Sequence, residues 1–163
     1  MKSRSTKSGS KNLPKNLQTF DIDSSLGFVV NRTAYMFRQH LQQAFRAQNH
    51  STTPEEFAVL RVLWKKDGRR QGELANYSFK DRTTITRLID GLVQKKLVER
   101  KTDDADRRAV CTWLTKKGKA LETELVPIAH ELVTRATQNV SSKELETTLR
   151  TLKAAQNNVN GNT

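Results

Sequence analysis

Residues 81–101 read DRTTITRLIDGLVQKKLVERK, and two different periodicities meet within this stretch. Its first part repeats apolar residues at spacings of three and four, which predicts an amphipathic helix over 81–96 with Asp81 as its N-cap. The apolar residues of this stripe are Ile85, Leu88, Ile89, Leu92 and Val93. Residues 97–101 no longer follow the helical period, and we interpret them as a β-strand.

The segment that follows predicts a partner for this strand. Residues 102–106 are rich in turn-forming aspartates, whereas Arg107–Leu114 alternate and include Val110, Thr112 and Trp113, which favour strands. We therefore expect a two-stranded hairpin with a charged tip.

Three helices are predicted on the N-terminal side of this stretch. Thr53–Glu56 form a capping box with a proline at the first helical position, and we expect that helix to end at Asp67–Gly68. A long helix over Ser24–Gln48 precedes it, and a short one over Gln71–Tyr77 follows it. Residues 1–19 are polar and basic with few large apolar side chains, which predicts a disordered basic arm.

The C-terminal third is predicted to be helical. We expect one helix over Lys116–Val140, and a second capping box at Ser141–Glu144 opens a final helix ending near Asn157. Residues 158–163 are expected to form a disordered tail. The expected fold class is therefore mainly α with a small β hairpin.

The charge of the chain indicates the kind of partner. The net charge is +12, and removing residues 1–19 with their five lysines and arginines still leaves +7. Such an excess attracts polyanions such as nucleic acid, although an uneven, passive surface is the alternative interpretation.

The element order of short helix, basic helix and hairpin is that of a winged helix-turn-helix. In this motif the second helix enters the DNA major groove with its N-terminal residues against the base edges. The first turns of the helix over 81–96 offer hydroxyl and guanidinium groups on the faces away from the apolar stripe. The alternative is an ordinary solvated helix face. The candidate DNA contacts here are Lys80, Asp81, Arg82, Thr83, Thr84, Thr86 and Arg87.

The predicted hairpin is a second candidate contact, as the wing of the motif. A slender ribbon with arginines near its tip suits the minor groove, whose negative potential attracts arginine. An aspartate at the tip would be explained if it paired with an arginine and held it towards the groove. The alternative is a turn filled with ordinary polar residues. The candidate wing contacts are Arg100, Lys101, Asp106, Arg107 and Arg108.

Several other functional classes lack support in the sequence. Cys111 is the only cysteine, which excludes an intramolecular disulfide and suits a reducing cytoplasm. The three histidines are scattered, and no catalytic motif is recognisable, so we predict no metal site, no cofactor and no enzyme activity. No segment approaches the roughly 20 apolar residues of a membrane span, and the basic N-terminus lacks the apolar run of a secretory signal.

Four segments of the chain together resemble one family. They are Gln71–Ala75, Thr83–Leu92, Lys96–Arg100 and the passage Leu114–Leu121 with its Leu-Thr-x-x-Gly pattern. With the hairpin tip Asp103–Arg108, they are similar to the multiple antibiotic resistance regulator (MarR) family, and the resemblance extends over about residues 24–157. One departure is Asp104, where the family commonly has a proline.

The resemblance implies a winged helix-turn-helix regulator that acts as a homodimer. It implies a DNA-binding lobe over 53–114, with the helices over 24–48 and 116–157 forming the dimer. One recognition helix and one wing would bind each half of a near-palindromic operator, with Arg108 in the minor groove braced by Asp106.

The resemblance also implies an effector. Many members are repressors that release DNA on binding a small phenolic or anionic compound between the dimer helices and the DNA-binding lobe. Tyr35, His40 and Trp64 are weak candidates for lining such a pocket, because residues of these types are more often simply packed.

Two alternatives to a ligand-responsive repressor stay open at this point. One is an architectural protein that coats DNA with low specificity, and the other is a winged-helix module used for protein contacts. Binding specificity separates the first two, since specific binders prefer their site by about 10³ or more.

Overall fold

The computed structural model describes residues 22–23, 25–78, 81–102 and 109–161. Within these ranges the chain is mainly helical with one small sheet. The helices are α1 (Leu26–Ala47), α2 (Pro54–Lys65), α3 (Gln71–Ser78), α4 (Arg82–Gln94), α5 (Lys116–Ala120), α6 (Glu122–Ala136) and α7 (Ser142–Val159). The strands are β1 (Arg69–Arg70), β2 (Val98–Thr102) and β3 (Val110–Leu114). None of these helices combines the length and the apolar character that crossing a bilayer requires.

Helix α2 begins as predicted but ends earlier. The Thr53 hydroxyl accepts the Glu56 N–H at 3.1 Å, and the Glu56 carboxylate accepts the Thr53 N–H at 2.8 Å, which completes the capping box. The predicted end at Asp67–Gly68 is wrong, because Lys66 is already extended and closes the helix after Lys65. Gly68 does have a positive φ of 68°, but it uses it in the turn that leads into β1.

The turn at Gly68 holds the sheet against the end of α2. The Asp67 carboxylate accepts the N–H groups of Gly68 (3.0 Å) and Leu114 (2.9 Å). A Cβ on Gly68 would lie only 2.5 Å from carbon atoms of the Trp113 ring. A side chain at position 68 would therefore displace the Trp113 ring.

The sheet contains a strand that the sequence pattern did not predict. Its order is β1-β3-β2, with Arg69 and Arg70 of β1 paired antiparallel to Thr112 and Cys111. Two residues are too few to show an alternating pattern, so β1 can be recognised only from its pairing with β3. The hairpin of β2 and β3 is confirmed, but Thr102, predicted to begin the turn, lies in β2, which runs one residue later than expected. Strand β3 begins at Val110, and residues 103–108, with the rest of the predicted tip, lie outside the described residues.

The core joins α2, α3, α4, the sheet and α6. Its fully buried members include Leu60 and Leu63 of α2, Leu74 of α3 and Leu125 of α6. The predicted stripe of α4 is directed into it, with Ile85, Ile89 and Leu92 at 0% exposure. Burying one such aliphatic side chain stabilises the fold by about 1.5–3 kcal/mol, so this stripe fixes which face of α4 stays outside.

The passage from β3 to α5 explains the Leu-Thr-x-x-Gly pattern. The Thr115 hydroxyl accepts the Gly118 N–H at 3.0 Å and donates to the Lys96 carbonyl at 2.8 Å. A Cβ on Gly118 would overlap the Leu97 carbonyl oxygen, so only glycine allows α5 to lie this close to the residue before β2. The Gly118 carbonyl in turn accepts the indole N–H of Trp64 at 2.9 Å.

The helix expected over 116–140 is divided, which corrects the prediction of one continuous element. The division occurs at Leu121, and the second part ends at Ala136. The Leu121 N–H still bonds to the Lys117 carbonyl, and Leu125 bonds back to Leu121, so the apolar period hardly changes across the division. The sequence pattern therefore gave no sign of it.

Helices α1 and α7 leave apolar side chains exposed. In α1 the apolar side chains differ in burial, since Phe45 is fully buried whereas Leu26 is 50% exposed. Helix α7 has its predicted capping box at Ser141 and continues to Val159, two residues beyond the expected end. None of its residues is buried, and Leu149 is 49% exposed.

Candidate nucleic-acid interface

The first turn of α4 is closed by Asp81, as predicted. One carboxylate oxygen accepts the Thr84 N–H and the other accepts the Thr84 hydroxyl, both at 2.8 Å. The bond from the Thr84 N–H, followed by that from its hydroxyl, lowers the pKa of Asp81 below its ordinary value of 3.8. Asp81 is therefore an ionised cap, and the donor hydrogen of Thr84 is used within the protein.

Thr86 is also bonded internally. Its hydroxyl donates to the Arg82 carbonyl one turn earlier at 2.8 Å, and it accepts a hydrogen bond from the side-chain amide of Gln71. The same amide nitrogen lies 3.4 Å from the Arg82 carbonyl. Thr86 can donate to DNA only if it gives up its bond to Arg82.

Three other predicted contacts on α4 have side chains available for binding. Arg82, Thr83 and Arg87 are exposed, and their side chains make no hydrogen bond or ion pair with the part of the chain that the structure describes. Two guanidinium groups and a hydroxyl are donors, as the guanine N7 and O6 acceptors of the major groove require. The exposed face of α4 can therefore bind phosphates and base edges together.

The C-terminal end of α4 is tied to the start of α2. The Lys95 ammonium donates to both carboxylate oxygens of Glu56, at 2.6 and 2.8 Å, and to the Ser51 carbonyl at 2.8 Å. Glu56 is only 5% exposed, and a Cβ on Gly91 would lie 3.0 Å from its carboxylate. The same carboxylate thus caps α2 and holds the end of α4.

The root of the hairpin is joined to α4 by a second ion pair. The Arg100 guanidinium lies 2.6 Å from the Asp90 carboxylate, and Lys101 pairs with Glu99 at 2.7 Å. Both predicted wing cations on β2 therefore have acidic partners in the protein. The remaining candidates, Lys80, Asp106, Arg107 and Arg108, lie outside the described residues.

The candidate effector residues lie on different elements. Tyr35 and His40 are exposed on α1. Trp64 on α2 contacts the Phe57 ring edge-on at 5.8 Å and has its N–H bonded to Gly118, as a packed residue would. An open groove along α1 is lined by Asp23, Phe28, Val29, Arg32, Thr33 and Met36. It includes neither Tyr35 nor His40.

Metal and thiol chemistry find no support in the residues that the structure describes. Among them no group of three or more His, Cys, Asp and Glu side chains could hold a metal ion. Cys111 is a buried thiol on β3.

Sequence patterns missed the residues that hold α4 in position. Glu56 was predicted only as a member of the capping box of α2, and Gln71, Asp90 and Lys95 were given no role in the site. These side chains lie 10 to 39 residues from the side chains they bind, so their spacing leaves no periodic signal.

Comparisons with known proteins agree on one family. The sequence model of the MarR family matches residues 52–110. The HTH-type transcriptional regulator TtmR of Methylorubrum extorquens is 32% identical over 111 residues, 67% of this chain. Those residues span about half (55%) of the length of TtmR. The HTH-type transcriptional regulator MhqR of Bacillus subtilis is 27% identical over 78% of this chain and 87% of its own.

Solved structures share the fold. BpsR of Bordetella bronchiseptica matches with a TM-score of 0.76 and 23% identity over 85% of this chain and 97% of its own. The repressor CouR, solved with a 23-mer DNA duplex, matches with a TM-score of 0.73 and 24% identity over 82% and 94% of the two chains. These structures show that the fold is shared, and the family model with the curated relatives shows that the chain belongs to the MarR family of winged helix-turn-helix, DNA-binding transcription regulators, which are not enzymes.

Proposed function

We propose that this protein is a homodimeric repressor that binds a palindromic operator and is released from it by a small phenolic or anionic ligand. The observation that supports it most directly is the exposed face of α4, where the side-chain donors of Arg82, Thr83 and Arg87 are bonded to none of the described residues. In the proposed complex these side chains lie in the major groove, and the wing with Arg108 lies in the minor groove of the same half-site.

The dimer is supported by the exposed apolar residues of the terminal helices. Leu26 and Val30 of α1, Val133 of α6 and Leu149 of α7 are each more than 40% exposed. Apolar residues repeated along helices that do not bury them are typical of interfaces between copies. Residues 24–48 and 116–157 are therefore the proposed dimerisation region, and 53–114 the DNA-binding lobe.

Release by a ligand is supported by one of the similar solved structures and by the groove on α1. DNA binding by BpsR is regulated by 6-hydroxynicotinic acid, an aromatic anion. The groove on α1 combines Phe28 and Met36 with the Arg32 guanidinium, which suits an aromatic compound that carries a negative charge. A regulator of this kind acts in the compartment that holds the genome, which we propose is a prokaryotic cytoplasm.

The test is a binding titration by fluorescence anisotropy. The DNA upstream of the protein's own gene is compared with random DNA of equal length, at several salt concentrations. We expect a preference of about 10³ or more for the upstream DNA, retained as salt rises. Equal and steeply salt-dependent binding to both would instead support an architectural protein, for which the net charge of +12 is the argument. No salt-dependent binding at all would support a protein-contact module.

A further inference from the structure

Gln71, the first residue of α3, extends its side chain to the recognition helix. Its amide nitrogen donates to the Thr86 hydroxyl and lies 3.4 Å from the Arg82 carbonyl. The side chain is half-buried, and its two partners are one turn apart on the DNA-facing part of α4. A single neutral group thus connects the first helix of the helix-turn-helix to the second.

The Thr86 hydroxyl has a fixed orientation because of this contact. Its one hydrogen is donated to the Arg82 carbonyl at 2.8 Å, and Gln71 occupies one of its lone pairs. Rotation about the Cα–Cβ bond of Thr86 would break both bonds. Because the methyl group of Thr86 turns about the same Cα–Cβ bond, it is also held in one position.

The neighbouring hydroxyl of Thr84 is bonded to Asp81, so neither threonine has a hydrogen to donate to a base. Within α4, the donors for base acceptors must then come from Arg82, Thr83 and Arg87, whereas Thr84 and Thr86 shape the helix between them. Arg82 and Arg87 lie on either side of Thr86 in sequence, and their guanidinium groups can meet bases only if this turn of α4 keeps its geometry.

We infer that Gln71 is a positioning residue for sequence recognition, which acts through the Thr86 hydroxyl without itself binding DNA. The inference rests on the proposed function, in which α4 lies in the major groove. It assigns to α3 a part in specificity that neither its charge nor its apolar pattern indicates.

The test compares Gln71→Met with a matched control, Gln94→Met, on an operator found by the upstream-DNA titration and on a set of single-base variants of it. Methionine keeps the length of the side chain and removes its donor. Gln94 is exposed at the last position of α4, the helix that Gln71 contacts. We expect Gln71→Met to weaken operator binding about three- to tenfold, with a smaller loss on the base variants, because one hydrogen bond is lost. Gln94→Met should bind as the parent does.

A double-mutant cycle with Thr86→Val separates positioning from direct contact. If Gln71 acts through Thr86, Gln71→Met changes affinity less than about twofold once the hydroxyl is gone. The same loss in both backgrounds would mean that Gln71 does not act through the Thr86 hydroxyl, which overturns the inference, as would no loss in either. Arg87→Ala is the reference for the proposed function: if it binds normally, α4 is not the recognition helix, whatever Gln71 does.

Stability is measured on every variant by thermal unfolding. Should Gln71→Met fail to fold at the assay temperature, Thr86→Val with Gln71 in place tests the same link. It should weaken operator binding and reduce discrimination among the base variants. Unchanged affinity and discrimination in Thr86→Val would overturn the inference.

Discussion

Gly118 determines how closely α5 approaches the residue before β2. Any side chain there meets the Leu97 carbonyl, which is backbone and cannot rotate away. We expect Gly118→Ala to lower the free energy of unfolding by about 3 kcal/mol through overpacking. Urea denaturation followed by circular dichroism measures this loss.

Gly72 in α3 supplies the matched control for Gly118. It has open space around its Cα, and alanine favours helices, so Gly72→Ala should leave stability unchanged or raise it by about 0.5–1 kcal/mol. Equal stability of the Gly118→Ala and Gly72→Ala variants would contradict the close approach of α5.

The Asp81 cap has a consequence for acid stability. Because the Thr84 N–H and hydroxyl lower the folded-state pKa of Asp81 below 3.8, the cap stabilises the folded protein at every pH above the unfolded value. That contribution disappears as the pH falls through the folded-state pKa. We expect a ¹³C NMR titration of the Asp81 carboxyl to give a pKa below 3.8.

Substitutions at Thr84 check the cause of the Asp81 shift. Thr84→Val removes the hydroxyl and should move the pKa of Asp81 upward, whereas Thr84→Ser keeps the hydroxyl and should not. An Asp81 carboxyl that titrates at or above 3.8 in the parent protein would exclude the cap geometry.

Side-chain contacts hold helix α4 against its neighbouring elements at three places. Gln71 holds its first turns, Asp90 joins it to Arg100 of β2, and Lys95 joins its end to Glu56 of α2. The Asp90–Arg100 pair is partly exposed on both sides, so its direct contribution to stability is below about 1 kcal/mol. Its effect should lie in the orientation of the wing relative to the recognition helix.

Asp90→Ala distinguishes this orienting effect from direct contact of Arg100 with DNA. Removing an acid raises the net charge, which by itself strengthens DNA binding. We expect Asp90→Ala to weaken operator binding about two- to fivefold instead, because the wing loses its link to α4. Glu99→Ala removes the same charge from β2 and should bind as tightly as the parent or more tightly. Tighter binding by Asp90→Ala would show that Arg100 acts on DNA alone.

The elements that could be predicted were those with a local signal. Thr53, Asp81 and Ser141 are caps whose partners lie three residues away, so three helix starts followed from the sequence. The two-residue strand β1 depends on its pairing with β3, far along the chain, and no local pattern marks it. The apolar period likewise gives no sign of the division at Leu121. The same holds for the site, where exposed Arg82 and Arg87 were predicted, whereas Gln71 becomes significant only beside Thr86.

The proposed dimer is best tested at apolar residues that are exposed within the single chain, because substituting a buried residue would damage the fold. The apolar stripe of the C-terminal helices includes Leu132, but that residue is 8% exposed within one chain, so Leu132→Asp would damage the fold itself. Leu149 on α7 is exposed and is the better choice. We expect Leu149→Asp to weaken the dimer at least about 30-fold while the helical circular dichroism spectrum is retained.

Sedimentation over a range of concentrations measures the dimer of the Leu149→Asp variant. Thr148→Asp places the same charge on the same helix, at an exposed residue outside the apolar stripe, and should remain as dimeric as the parent. A Leu149→Asp protein that stays dimeric would remove α7 from the interface.

The Trp113 ring over Gly68 also gives the protein an optical reporter. Trp113 is 38% exposed at the root of the wing, whereas the other tryptophan, Trp64, is half-buried with its N–H bonded to Gly118. A Trp64→Phe variant would emit from Trp113 alone, so a shift in its emission on adding DNA would report the arrival of the wing without an attached dye. The rate of that shift, followed by stopped flow, would give the rate at which the wing engages the operator.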